Sequence, residues 1–157
     1  MKNIRIFIAL SMFTLFAACG GPGENATVPE AQPAGASDAD IGDHIVHFSA
    51  QSTDQLPTDI ARAYNIVRSK NRAMLNVSVL READGVPVEA AVTVKTVNLT
   101  GQLKNVTMRQ INEGDAIYYI GEVGIENRET LVFDISVAPE GATKASDLRF
   151  KRQFYTD

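Results

Sequence analysis

Beyond residue 43, hydrophobic residues recur at every other position for long stretches. Successive side chains of a strand point to opposite faces, so this pattern reads as one face on a core and one in water. Ala73, Leu75, Val77 and Val79 share one parity, with Asn76 and Ser78 on the other. Asp84-Gly85 supplies a hairpin signal, after which Val86, Val88, Ala90, Val92 and Val94 alternate with Glu89, Thr93 and Lys95. Val106 and Met108 interleave with Asn105, Thr107 and Arg109, and Glu113-Gly114-Asp115 makes a turn into residues 116–120. Leu131, Phe133, Ile135 and Val137 alternate with Asp134 and Ser136, and Leu148, Phe150 and Phe154 close the series. With an opening strand near residues 45–50, about seven strands follow at sandwich spacing. The expected fold is all-β: a single immunoglobulin-like antiparallel β-sandwich over residues 44–157. No strand–helix–strand alternation points to a doubly wound nucleotide-binding fold.

Two segments depart from the alternation. In residues 56–64, Ile60, Ala63 and Tyr64 stand at helical spacing and Thr58 offers an N-cap, which predicts one short helix between the first two strands. In residues 115–120, the tyrosines resemble an immunoglobulin tyrosine corner with Ile120 in the place of the core cysteine. The parity of Ile117, Tyr119 and Val123 is nearly as good an inward face, and both readings stay open.

The amino terminus carries an address. Lys2 and Arg5 precede the apolar run 6–16, and Ala17-Ala18-Cys19 follows. A basic start, a short apolar stretch and small residues before a cut are the parts of a secretory signal, too short for a spanning helix. Leu15-Phe16-Ala17-Ala18-Cys19 resembles the bacterial lipobox, in which the cysteine becomes the lipid-bearing first residue of the mature chain; Phe16 departs from the usual Leu. The expectation is a signal peptide over residues 1–18 and lipidation of Cys19. The lipid would anchor the protein in the membrane, and Gly20 after the cysteine resembles cargo sent to the outer membrane, facing the periplasm. A plain signal peptide with a chance cysteine is the alternative.

Composition then divides the chain. Residues 19–43 are rich in Gly, Pro and Ala, and every charge there is acidic: Glu24, Glu30, Asp38, Asp40 and Asp43. Such a stretch buries too little apolar surface to offset its ordering entropy and is expected to be a disordered acidic linker; an acidic binding tail is the sharper reading. Beyond it thirteen Lys/Arg face fourteen Asp/Glu. The net charge of −4 is thus mostly the linker's, and nothing in it provides the basic footprint of nucleic-acid binding.

Chemistry is sparse. Cys19 is the only cysteine, so the domain has no disulfide, thiolate metal site or cysteine nucleophile of its own. His44 and His47 are three apart on an expected strand, hence on opposite faces and poor joint ligands. No nucleophile elbow, P-loop or dinucleotide fingerprint appears. The pairs Glu82/Asp84, Glu113/Asp115 and Glu126/Glu129 fall at expected turns, where acids are solvated. No cofactor, metal or catalytic activity is expected. One charge feature stands out: Arg62, Arg68, Lys70 and Arg72, with no acid among them. It reads either as a solvated face or as a basic patch for phosphate, a cell-wall carboxylate or an acidic partner.

Residues 62–80, Arg-Ala-Tyr-Asn-Ile-Val-Arg-Ser-Lys-Asn-Arg-Ala-Met-Leu-Asn-Val-Ser-Val-Leu, resemble the signature of domain-of-unknown-function family 4426, small exported proteobacterial proteins. Residues 113–122 and 131–135 look like its other marks, and the resemblance runs from His44 to Tyr155. It implies a periplasm-facing β-domain without a known reaction. Together these readings favour a non-catalytic binding or adaptor domain for an envelope protein or cell-wall partner. A small-ligand carrier, which requires an apolar cavity in or beside the sandwich, and an unfamiliar enzyme are the alternatives.

Overall fold

The alternating segments close into two antiparallel sheets. The computed structural model of the chain describes residues 37–157. In chain order its elements are β1 (Asp38–Asp40), β2 (His44–Ser52), a 3-10 turn (Thr53–Gln55), α1 (Thr58–Ala63), β3 (Arg72–Arg81), β4 (Ala90–Asn98), β5 (Leu103–Lys104), β6 (Arg109–Glu113), β7 (Ala116–Gly124), β8 (Thr130–Pro139) and β9 (Ser146–Gln153). One sheet has the order β1-β2-β3-β7-β6 and the other β5-β4-β8-β9. The runs β2-β3-β7-β6 and β4-β8-β9 reproduce the two-sheet arrangement of an immunoglobulin-type sandwich, so the all-β expectation holds.

The inward parities are those read from the sequence. Ala73, Leu75, Val77 and Val79 of β3 face Leu131, Phe133, Ile135 and Val137 of β8, and all eight are essentially inaccessible to solvent. Phe150 stacks between Phe48 and Phe133, with ring centroids 4.8 Å away on each side, an offset geometry that adds to plain area burial. Tyr119 settles the question left at residues 115–120. Its ring lies in the core and its hydroxyl accepts the Ala90 N–H at 2.7 Å, joining the two sheets. It stands on β7, whereas a tyrosine corner belongs on the strand that here is β8, so the corner reading is set aside and the Ile117/Tyr119/Val123 parity is the inward one.

Several expectations are corrected. The domain begins before His44: β1 lies in the stretch 19–43 read as linker, pairs Ala39 with Val46, and buries Ala39 in the core. A single alanine between two aspartates gives too little alternation to register as a strand. The hairpin at Asp84-Gly85 forms, with Gly85 at φ +69° and the Arg81 N–H on the Val86 carbonyl. Its ladder passes Pro87, which stands opposite Leu80 at a position that donates no ladder bond, and ends at Val88, after which the chain crosses to the second sheet as β4. Residues 105–108 form no strand. Val106 and Met108 instead pack on the core as the chain crosses back, directly over Gly121, where a Cβ would lie 2.6 Å from both Met108 Sδ and Val106 Cγ1. Thr58 is the first residue of α1 rather than its N-cap, which is Pro57. Glu129, read as a solvated turn acid, is largely buried against Lys104 at 2.8 Å. The expected signal peptide and the candidate lipidation site Cys19 lie outside the described residues.

A candidate binding pocket on the outer face

The five-stranded sheet carries an apolar patch on its outer face as well as on the core. Opposite the core, side chains of one parity form cross-strand rows: Met74 of β3 beside Glu122, Asn76 beside Ile120, and Tyr118 beside Ile111 of β6. A strand apolar on both sides must be covered on both, and the segment between β2 and β3 supplies the cover. The buried Thr53 hydroxyl sits 2.8 Å from the Val67 carbonyl and accepts the Ser69 N–H at 2.9 Å, fixing both ends of that segment. α1 is only Thr58–Ala63 and ends with Tyr64 as its C-cap; Asn65 follows at φ +54°. The Ile66 N–H returns to the Ala61 carbonyl and the Asn65 N–H to that of Arg62. This is the Schellman stop, whose hydrophobic contact here joins Ala61 and Ile66. Leu56, Ala61, Ile66 and Ile120 form a second small core, with Tyr64, Met74, Ile111 and Tyr118 packed around it. The Arg109 guanidinium donates to the Tyr64 carbonyl, tying the helix end to the edge strand β6.

The cover does not close completely. Between it and the sheet lies an apolar pocket of about 190 Å³. Ile60, Ile66, Met74, Ile111 and Ile120 form its walls, with Tyr64, Tyr118, Asn76 and Glu113 completing the lining. The Glu113 carboxylate next to the Tyr64 hydroxyl raises that tyrosine's pKa above its usual value, helped by some loss of solvent. Asn76 Oδ1 is buried without a hydrogen-bond donor, an uncommon state for a buried polar atom.

The basic residues singled out in the sequence are placed differently. Arg68 donates to Thr58 Oγ1 at 3.1 Å and to the Asp54 carbonyl, so it braces the turn before α1. Arg72 forms an ion pair with Glu122 at 3.0 Å on the outer face. Arg62 and Lys70 are exposed and have no ion-pair partner among the described residues. None of the four lines the pocket. His44 and His47 do lie on opposite faces of β2, and among the described residues no three His, Cys, Asp or Glu side chains gather as metal ligands. The pocket residues had one signal in the sequence: Tyr118 and Ile120 break the alternation of β7 and make it apolar on both faces. Glu113 and Asn76 gave none, since each reads as an ordinary polar position.

No curated protein matches the chain. Among solved structures, a DUF4426 family protein from Pseudomonas aeruginosa PAO1 is 35% identical, with a TM-score of 0.68, covering 76% of this chain and 94% of that one. FetP of uropathogenic Escherichia coli strain F11, crystallised after recombinant expression in the periplasm, is 9% identical with a TM-score of 0.54, covering 82% and 95% of the respective chains, a likeness of fold alone. The model of a domain of unknown function, DUF4426, matches residues 38–157, so it begins with β1 rather than at His44. With that match over most of its length, the chain belongs to the DUF4426 family.

Proposed function

We propose that this is a lipid-anchored, periplasm-facing envelope protein whose domain is a non-catalytic binding module, and that its binding site is the pocket beneath α1. The carrying observation is the pocket itself: an apolar cavity beside the sandwich with Glu113, Tyr64 and Asn76 as the polar residues of its lining. Concave apolar sites with a few polar groups are where small ligands bind. The cavity therefore favours a small-ligand carrier over an adaptor that works through the basic residues, two of which already have local partners. Anchoring at Cys19 rests on the lipobox resemblance at residues 15–19.

Photocrosslinking in living cells tests this reading. A diazirine residue replaces Ile60, which lies at the rim and is 38% exposed, or Lys70 in the basic segment. After irradiation the protein is purified and weighed by mass spectrometry. The pocket reading expects a recurrent small-molecule adduct from position 60 and none from position 70. A specific protein adduct confined to position 70 would overturn it and return the function to the basic residues.

A further inference from the structure

The polar lining of the pocket has one chemical bias, and on the binding reading above it identifies a ligand class. Glu113 and the Tyr64 hydroxyl present oxygen acceptors, and two tyrosine rings, Tyr64 and Tyr118, stand among the aliphatic walls. Glu113 has no ion-pair partner among the described residues. Arg109, the cation nearest along β6 on that face, is bound to the Tyr64 carbonyl at the other end of the strand. A carboxylate ligand would be repelled by Glu113. A purely apolar one would make no use of the Glu113 charge at the pocket's edge. A cation with an apolar coat suits this lining: its methyl or methylene groups pack on the isoleucines, its charge faces Glu113, and the tyrosine rings attract it.

We propose that the pocket binds a small free organic ammonium ion. The volume of about 190 Å³ is below the range of drug-sized ligand sites, which suits a compact amine such as a quaternary ammonium rather than an extended molecule. Glu113 supplies the counter-charge and Tyr64 and Tyr118 the aromatic walls.

Isothermal titration of the exported protein in maltoside detergent compares choline with 3,3-dimethylbutan-1-ol, its neutral isostere. The proposal expects saturable choline binding, with the isostere weaker by about tenfold, the loss of a favourable cation contact worth roughly one factor of ten. Glu113→Gln weakens choline by a similar factor and leaves the isostere unchanged. Glu113 is exposed, so this variant retains the fold. Equal affinities for the two ligands, unmoved by Glu113→Gln, would overturn the ammonium assignment and leave a simple apolar site, with the binding reading intact. No binding of choline, together with co-sedimentation on phosphatidylcholine vesicles, would overturn it in favour of a lipid surface. No binding of either ligand and no adduct from position 60 would remove both readings.

Discussion

Removing the Lys104 ammonium leaves Glu129 as an acid buried without its cation. The Glu129 side chain is 8% exposed and that of Lys104 14%. Glu129 also accepts Asn98 Nδ2 at 3.1 Å and the Glu126 N–H at 2.9 Å, while Lys104 donates to the Gly124 carbonyl. The group thus ties β4 and β5 to the β7–β8 connection. Breaking a buried pair from one side typically costs 3–5 kcal/mol; the two remaining donors and the partial access to water reduce this. Lys104→Ala is therefore expected to destabilise the domain by about 2–3 kcal/mol, a fall in Tm of roughly 10 °C for a chain of this size. Chemical denaturation monitored by far-UV circular dichroism measures it. The double variant Lys104→Met with Glu129→Met removes both charges and is expected to cost far less than the single one. A single-variant loss below about 0.5 kcal/mol, the range of an exposed pair, would refute the argument. The pH dependence follows from the same group. Desolvation pushes the Glu129 pKa up, but hydrogen bonds from Lys104, Asn98 and the Glu126 amide outweigh it and hold the pKa below its ordinary 4.5. A carboxyl with a folded pKa below its unfolded one stabilises fully above the unfolded value, and that contribution disappears as pH falls through the folded value. Stability is expected to drop on acidification below about pH 4.5, with a shallower drop in Glu129→Gln.

Other substitutions probe the rest of the frame. Tyr119→Phe removes the acceptor of the Ala90 N–H and is expected to cost about 1–2 kcal/mol in a urea melt; a neutral result would show that water replaces the hydroxyl. Gly121→Ala introduces a Cβ 2.6 Å from Met108 Sδ and Val106 Cγ1 and is expected to destabilise by about 1–3 kcal/mol despite the better strand propensity of alanine. An unchanged midpoint would mean that the crossover at residues 105–108 shifts freely. Thr96 is fully buried with an unpaired hydroxyl, so Thr96→Val is expected to stabilise by about 1 kcal/mol; a lower midpoint would show that the hydroxyl has a partner such as a buried water.

What the sequence revealed and what it withheld divide along physical lines. Strict alternation exposed β3 and β8, because each turns an unbroken row of apolar side chains of one parity to the core. The Asp84-Gly85 turn was legible from its chemistry, yet the chain's departure to the second sheet after Val88 was not, since only the partner strands decide it. β1 and the crossover at Val106–Met108 were obscured because short edge segments carry too few side chains to show a period. The pocket was nearly invisible. It needs α1 folded back by the Asn65 turn over a sheet whose β7 is apolar on both sides, a juxtaposition of residues more than forty positions apart. The basic residues had the opposite fate, conspicuous in sequence but partly consumed by local contacts at Thr58, Asp54 and Glu122.

The most direct measurement of the central claim is the native mass of the protein isolated gently from the cells that make it, beside an Ile66→Trp variant that fills the pocket and whose fold is verified by circular dichroism. A ligand-binding pocket beneath α1 predicts an additional small-molecule mass on the parent protein that the variant lacks. The same adduct on both proteins, or none on either, would contradict it.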